Sequence, residues 1–180
     1  MRITDVNLYT MERGKAETDT DEDGDSEYWG GGDLLNSPFA SPMSIYPEYA
    51  KALDSWFSPG MDPYVVEIET DEGHTGFAAN YGGGPYACQV IDTHYRRFLE
   101  GSNPFDIERM WEQMYRAQLP YGQGGVTMMA LSGVDLALWD LIGKITDQPV
   151  YNLLGGKARD ELRSYITTDY ANMEHMVCEG

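Results

Sequence analysis

Cysteine is nearly absent: Cys88 and Cys178 are the only two in 180 residues. Two cysteines so far apart suggest no disulfide framework. Histidine is as scarce, with three residues, and no His, Cys or carboxylate group has the spacing of a transition-metal site. Positive charge is short too. Twelve Lys and Arg face thirty Asp and Glu, for a formal net charge of −18. That deficit argues against nucleic-acid binding, which needs clustered Lys and Arg to neutralise a phosphate backbone, so no nucleic-acid partner is expected. No stretch reads as reaching the apolar length of a bilayer span. The start, Met1-Arg-Ile-Thr-Asp-Val, lacks the charged head and apolar run of a secretory signal. A cytoplasmic protein with no membrane partner is the expectation.

What is present supports a packed core: 42% hydrophobic and 12% aromatic residues, well above a disordered composition. The scattered acids then read as a whole-surface adaptation to high salt, where ions screen the self-repulsion of many carboxylates. The length suits one full domain and the start of a second.

Ile3 to Met11 alternates Ile3, Val6 and Leu8 as a first strand. From Glu12 to Asp62 the chain is irregular: acidic, then Gly30-Gly31-Gly32, then rich in proline and aromatics. So long a loop in a compact domain is usually functional or disordered, and its aromatics favour an ordered, packed one. Tyr46 to Phe57 has room for a short helix with Pro47 at its first position. Tyr64 to Thr70, the turn Asp71-Glu72-Gly73, and His74 to Ala79 predict a hairpin. Helices are expected over Pro85–Leu99 and Pro104–Leu119, the second capped by Asn103. A helix around Ala130 runs into a Gly143-Lys144 exit, and Leu131, Val134, Leu138, Leu141, Ile142 and Ile145 lie near one face of it. Ala130, Gly133 and Ala137 form a small-residue row that another element can approach closely. Arg163 to Asp169 then reads as a strand and Asn172 to Glu179 as part of a helix. Strands, helices and a new strand–helix unit make an α+β domain followed by the start of an α/β one.

The densest motif is Ala130, Ser132-Gly133-Val134-Asp135, Ala137-Leu138, Asp140-Leu141, Gly143-Lys144, Pro149-Val150 and Leu153-Leu154-Gly155-Gly156. With the element order, it resembles the mandelate racemase/muconate-lactonising branch of the enolase superfamily. Within that branch, Pro42-Met43-Ser44, Tyr46, Tyr49, Val65 to Glu69 and Thr75 to Ala78 look most like L-rhamnonate dehydratases. The resemblance implies an enolase-like N-terminal capping domain over residues 1–156, a three-stranded antiparallel sheet followed by a helical bundle. Residues 157–180 would begin a truncated TIM barrel, with its first strand and a partial helix. It further implies an active site between cap and barrel, with Mg²⁺ in the full-length enzyme. There, proton abstraction beside a substrate carboxylate gives an enediolate that the metal stabilises, and water is then lost from an acid sugar. The family's metal ligands and acid/base residues lie on later barrel strands, so no catalytic or metal-binding residue is carried over. The 180 residues are expected to bind no metal and to be inactive alone, and the intact enzyme to be a homo-oligomer. The alternative is a non-catalytic cap homologue that serves as a binding or assembly module.

L-rhamnonate dehydratases direct a His and an Arg from the long loop to the substrate. Here no His precedes His74 and no Arg lies between Arg13 and Arg96. Other donors would have to act: Trp29, Asn36, Ser41, Tyr46 and Lys51 in the long loop, with Tyr81 before Gly82-Gly83-Gly84. The segments Tyr28–Phe57 and Asn80–Gly84 would close over the substrate and exclude water. Four smaller signals read more plainly. Asp19 to Glu27 mimics the front of an EF-hand, but Gly30 stands where a bidentate Glu belongs, so it reads as a solvated acidic loop. Gly122-Gln-Gly124-Gly125 is a helix entry, since it lacks the lysine of nucleotide loops. Glu67 and Glu69 share the solvent face of a strand. Asp135 and Asp140 are expected to form hydrogen bonds at the seam between cap and barrel.

Overall fold

Alternation is strongest in the middle strand, and the fold is built on it. In the computed structural model, which describes residues 1–10, 42–49 and 62–164, three strands form one sheet: β1 (Ile3–Thr10), β2 (Tyr64–Thr70) and β3 (Thr75–Asn80). Their order is β1-β2-β3, antiparallel throughout. Along β2, Tyr64, Val66, Ile68 and Thr70 are buried while Val65, Glu67 and Glu69 are only partly covered. One face therefore meets the core and the other faces outward, as a period of two requires. On the outer face Asn7 lies opposite Glu67. Its Nδ2 donates to Glu67 Oε2 at 3.2 Å and to Glu69 Oε1 at 3.1 Å, and Tyr9 Oη donates to Glu67 Oε2 at 2.8 Å. The two glutamates thus tie β1 to β2, as outward-facing residues of one strand can.

The helices cover the inner face. α1 (Gly84–Val90) passes through a π-helical stretch, Ile91–Tyr95, into α2 (Arg96–Leu99). α3 (Ile107–Gln118) follows, then α4 (Val126–Thr146) and the single turn α5 (Val150–Leu153). Arg96 joins helix to sheet. Its guanidinium donates to the Val6 carbonyl at 2.7 Å and to Asp5, Asp92 and Glu100 carboxylates at 2.8–3.0 Å.

α4 is the central element. Ala130, Leu131, Gly133, Val134, Ala137, Leu138, Leu141 and Ile142 are all buried in it. By length and composition alone α4 could cross a bilayer, contrary to the reading that no stretch here could. Its packing against sheet and helices shows instead the core helix of a folded domain. The small-residue row does what its spacing predicts. A Cβ on Gly133 would lie 2.6 Å from Tyr64 Oη, and one on Gly76 of β3 would lie 2.4 Å from Leu141 Cβ and 2.5 Å from the Ala137 carbonyl. Helix and sheet meet at these two glycines, closer than any side chain allows.

Two expectations change. α3 begins at Ile107, not Pro104. Asn103 instead organises a preceding turn: its Oδ1 accepts from Phe105 N–H at 3.3 Å and its carbonyl from Asp106 N–H at 3.0 Å. Gly143 lies inside α4, which ends at Thr146 with Asp147 in the left-handed region, φ 52°. The glycine leaves room for the returning Gln148 carbonyl, 3.0 Å from where its Cβ would be. Asp140 bonds within the cap: its Oδ2 accepts from Phe77 N–H at 2.8 Å, on the edge of β3 that has no strand partner among the described residues, and pairs with Lys144 at 2.7 Å; the expected seam with a barrel lies outside the described residues. A carboxylate that caps an unpaired strand edge removes a site of unwanted pairing. Pro47–Tyr49 forms one 3₁₀ turn. The rest of that expected helix, the acidic loop 19–30, Cys178, and the strand and helix expected after Arg163 lie largely or wholly outside the described residues. Residues 155–164 are exposed and carry no regular element.

Candidate functional site

The loop after β3 is built by three glycines and a proline. Gly82, Gly83 and Gly84 have φ of 92°, 91° and 42°, a left-handed run open to residues without a Cβ. Pro85 follows in the first turn of α1, where no intrahelical acceptor awaits its missing N–H. Gly83 also touches the core: its Cβ would lie 2.8 Å from Ala87 Cβ and 3.4 Å from Met129 Cβ. The loop backbone therefore rests on the first turns of both α1 and α4.

Tyr81 stands at the head of this loop, 73% exposed, with no hydrogen-bond or ring partner among the described residues. A large phenol held out by a packed backbone can offer both an O–H and an apolar face to a ligand. Nearby, Tyr64 fixes the base. It is fully buried, and its Oη donates to the Met129 carbonyl at 2.6 Å. Burial pushes its phenol well above the ordinary tyrosine range.

A second buried tyrosine fixes the entry to α4. Tyr95 Oη lies 2.6 Å from Gln118 Oε1 and 3.1 Å from the Thr127 carbonyl, and Gln118 Nε2 donates to Met128 Sδ at 2.8 Å. Both Tyr95 and Gln118 are fully buried, and burial raises the Tyr95 phenol to about 12. Gly122 and Gly125, φ 122° and 69°, bend the chain into α4, so Gly122 to Gly125 is a helix entry as expected. Neither anchor stands out in sequence. Tyr64 is one more inward position of an alternating strand, and the Tyr95–Gln118 pair joins residues 23 apart that no local pattern links.

Of the six predicted substrate contacts, Tyr46 and Tyr81 fall among the described residues. Tyr46 links two 3₁₀ turns, Pro42–Ile45 and Pro47–Tyr49, and is 48% exposed. Its N–H donates to the Met43 carbonyl at 2.9 Å. Trp29, Asn36, Ser41 and Lys51 lie outside the described residues. Asp135, half-buried on α4, has its carboxyl held above the usual range, first by burial and then by the Glu108 charge on α3. Among the described residues no group of three or more His, Cys, Asp or Glu could hold a metal ion. The arrangement offers a ligand one exposed phenol on a packed backbone; these residues do not fit a Mg²⁺ site.

Comparison with known proteins agrees with this architecture. Residues 59–155 match the family described as mandelate racemase / muconate lactonizing enzyme, N-terminal domain. A relative from Caldivirga maquilingensis, named "Putative L-rhamnonate dehydratase", is 43% identical over 92% of this chain. This chain spans 39% of that relative's length. Two crystal structures of L-rhamnonate dehydratase from Gibberella zeae superpose over 88% of this chain. One has a TM-score of 0.69 and 34% identity. The other, complexed with Mg, has a TM-score of 0.70 and 33% identity. The chain covers 35% and 37% of those two structures. The three-stranded antiparallel sheet with its helical layer is an enolase-like capping domain, and the chain belongs to the mandelate racemase/muconate lactonizing enzyme family through that N-terminal domain.

Proposed function

We propose that this chain is the capping and specificity domain of a Mg²⁺-dependent acid-sugar dehydratase acting on a rhamnonate-like aldonate. The observation that carries the reading is Tyr81, an exposed phenol with no partner among the described residues, on a glycine loop seated on α1 and α4. Support comes from the 43% identical relative, which shares this chain over nearly its whole length. The metal and the acid/base groups would come from sequence other than the described residues, which offer no such cluster. When bound there, Mg²⁺ would stabilise the charge that develops as the proton beside the carboxylate leaves.

The cap's own work is orientation and exclusion of water. Tyr81 would contact the substrate's hydroxyls, with Tyr46 and the donors Trp29, Asn36, Ser41 and Lys51 from the long loop. Domain limits at 1–156 for the cap and 157–180 for the start of a barrel, a cytoplasmic location, a homo-oligomeric intact enzyme and a salt-adapted surface belong to the same proposal. The test is steady-state kinetics of the protein made from the complete reading frame, with a panel of aldonates and Mg²⁺. Tyr81→Ala should raise KM about tenfold, the loss of roughly 1.4 kcal/mol of substrate binding, and change kcat less than threefold. An unchanged KM would show that this loop does not reach the substrate.

A further inference from the structure

The end of the sheet opposite Tyr81 carries a second feature. β3 runs from Thr75 to Asn80, so the glycine loop and the turn between β2 and β3 are separated by the strand's length, about 17–20 Å. At the turn end, Ile3 is bound to the helical layer: its N–H donates to the Ser102 carbonyl at 2.9 Å, and Gly101 N–H donates to its carbonyl at 2.8 Å. Beside this junction lies a polar cavity of about 590 Å³, bounded by α2, α3 and the first residues of the chain.

The charge of its lining is opposite to that of the protein. In a chain of net charge −18, basic side chains should find carboxylates easily, and four of the nine described Lys and Arg residues do. Arg96, Arg116, Lys144 and Lys157 all lie within 3.0 Å of one. Five described arginines have no carboxylate partner among the described residues: Arg159 and Arg163 lie in the exposed stretch after α5, and Arg2, Arg97 and Arg109 all line this cavity. Arg2 Nη1 instead donates to the Gly101 carbonyl at 2.7 Å. Arg97 lies over the Phe98 ring at 4.7 Å, with Nη2 3.4 Å from His94 Nδ1. Arg109 makes no hydrogen bond or ion pair to a described residue. Asp106 is the one carboxylate on the lining. At the rim Asp71 Oδ1 accepts from the Arg2 backbone N–H, and Glu72 pairs with the amino group of Met1.

We propose that this cavity is a binding site for a small multivalent oxyanion of the phosphate class, separate from the substrate loop. Three arginines without an ion-pair partner among the described residues share one lining with a single carboxylate, Asp106, and an anion of more than one charge offsets the remaining positive charge. Guanidinium forks match tetrahedral oxyanions geometrically. The N-terminus of α3 at Asp106 and Ile107 adds positive potential of its own. The volume is that of a small-molecule pocket, not of a surface for a macromolecule. Free inorganic phosphate and the phosphate of a small metabolite share this chemistry.

Isothermal titration of the 180-residue chain, at fixed KCl concentration, tests the proposal. The probes are inorganic phosphate, pyrophosphate and a sugar monophosphate. Saturable one-to-one binding is expected, tighter for pyrophosphate than for phosphate. Tighter binding of the sugar phosphate than of inorganic phosphate would assign the site to a metabolite, and equal binding to the free anion. Arg109→Gln should weaken binding at least fivefold, and Arg97→Gln/Arg109→Gln together should abolish it. Arg116→Gln, which breaks an ion pair elsewhere, should leave it unchanged. Asp106→Asn should tighten binding severalfold, which a merely damaged fold cannot imitate. No saturable heat with the wild-type chain, or equal binding by the double variant, overturns the proposal.

Discussion

Replacing Gly76 with alanine tests the packing on which the cap depends. The added Cβ would lie 2.4 Å from Leu141 Cβ, 2.5 Å from the Ala137 carbonyl oxygen and 2.6 Å from Leu141 N. Ordinary contacts at a Cβ begin near 3.4 Å, so α4 must retreat from β3 by about 1 Å. Two of those three atoms are backbone, so no side-chain rotation relieves them. Overpacking of this kind costs about 3 kcal/mol, the upper part of its usual range. The reduced freedom of the unfolded chain returns roughly 0.5 kcal/mol. The net loss of about 2.5 kcal/mol should lower the melting temperature by roughly 5–10 °C for a chain of this size. Urea unfolding followed by circular dichroism gives the free energy directly. Gly124→Ala is the control, since nothing lies within 4 Å of its Cβ and the same unfolded-state gain applies. It should be neutral or slightly stabilising. If Gly76→Ala unfolds within about 0.5 kcal/mol of wild type, helix and sheet are not packed as described.

Three further outcomes follow from the same structure. The Tyr64 and Tyr95 phenols sit above their unfolded value of 10 because they are buried. Their contribution is therefore complete below pH 10 and is lost as pH rises, through about 12 for Tyr95, at about 1.4 kcal/mol per pH unit for each group. Urea midpoints measured from pH 8 to 11.5 should be flat and then fall. Tyr95→Phe should shallow that fall and cost about 1–3 kcal/mol at neutral pH, because buried Gln118 loses its partner; a midpoint unchanged to pH 11.5 contradicts the argument. Raising NaCl from 0.1 to 1 M shortens the screening length from about 10 to 3 Å. The melting temperature of a chain carrying −18 should then rise, and a flat or falling response removes the case for salt adaptation.

Much of this cap is legible in its sequence, for identifiable reasons. β2 alternates without interruption from Tyr64 to Thr70, and the glycine turn at Gly73, φ 81°, leaves little choice of hairpin. The small-residue row of α4 predicts close approach, and Gly133 and Gly76 supply it. The boundaries that were misplaced all involve residues with two local options. Asn103 before Pro104 has the form of a helix cap, but its side chain and carbonyl serve a turn, and α3 starts at Ile107. Gly143 resembles a helix stop until the return of Gln148 shows which neighbour needs the space. The arginine-lined cavity has no sequence signature, because Arg2, Arg97 and Arg109 meet only through the pairing of β1 with the Gly101–Ser102 turn. Tyr81 was the accessible part of the site: an aromatic before three glycines is visible in one dimension, while its anchor, Tyr64, is hidden in an ordinary strand.

The central proposal is that these 180 residues orient a substrate for the intact enzyme and perform no chemistry on it alone. Incubating the purified chain with Mg²⁺ and a panel of aldonates, L-rhamnonate among them, and measuring release of 2-keto-3-deoxy acid tests it most directly. The account predicts no product above the enzyme-free background at any Mg²⁺ concentration. Product formation that requires Mg²⁺, stops on adding a chelator and scales with the amount of chain would contradict it.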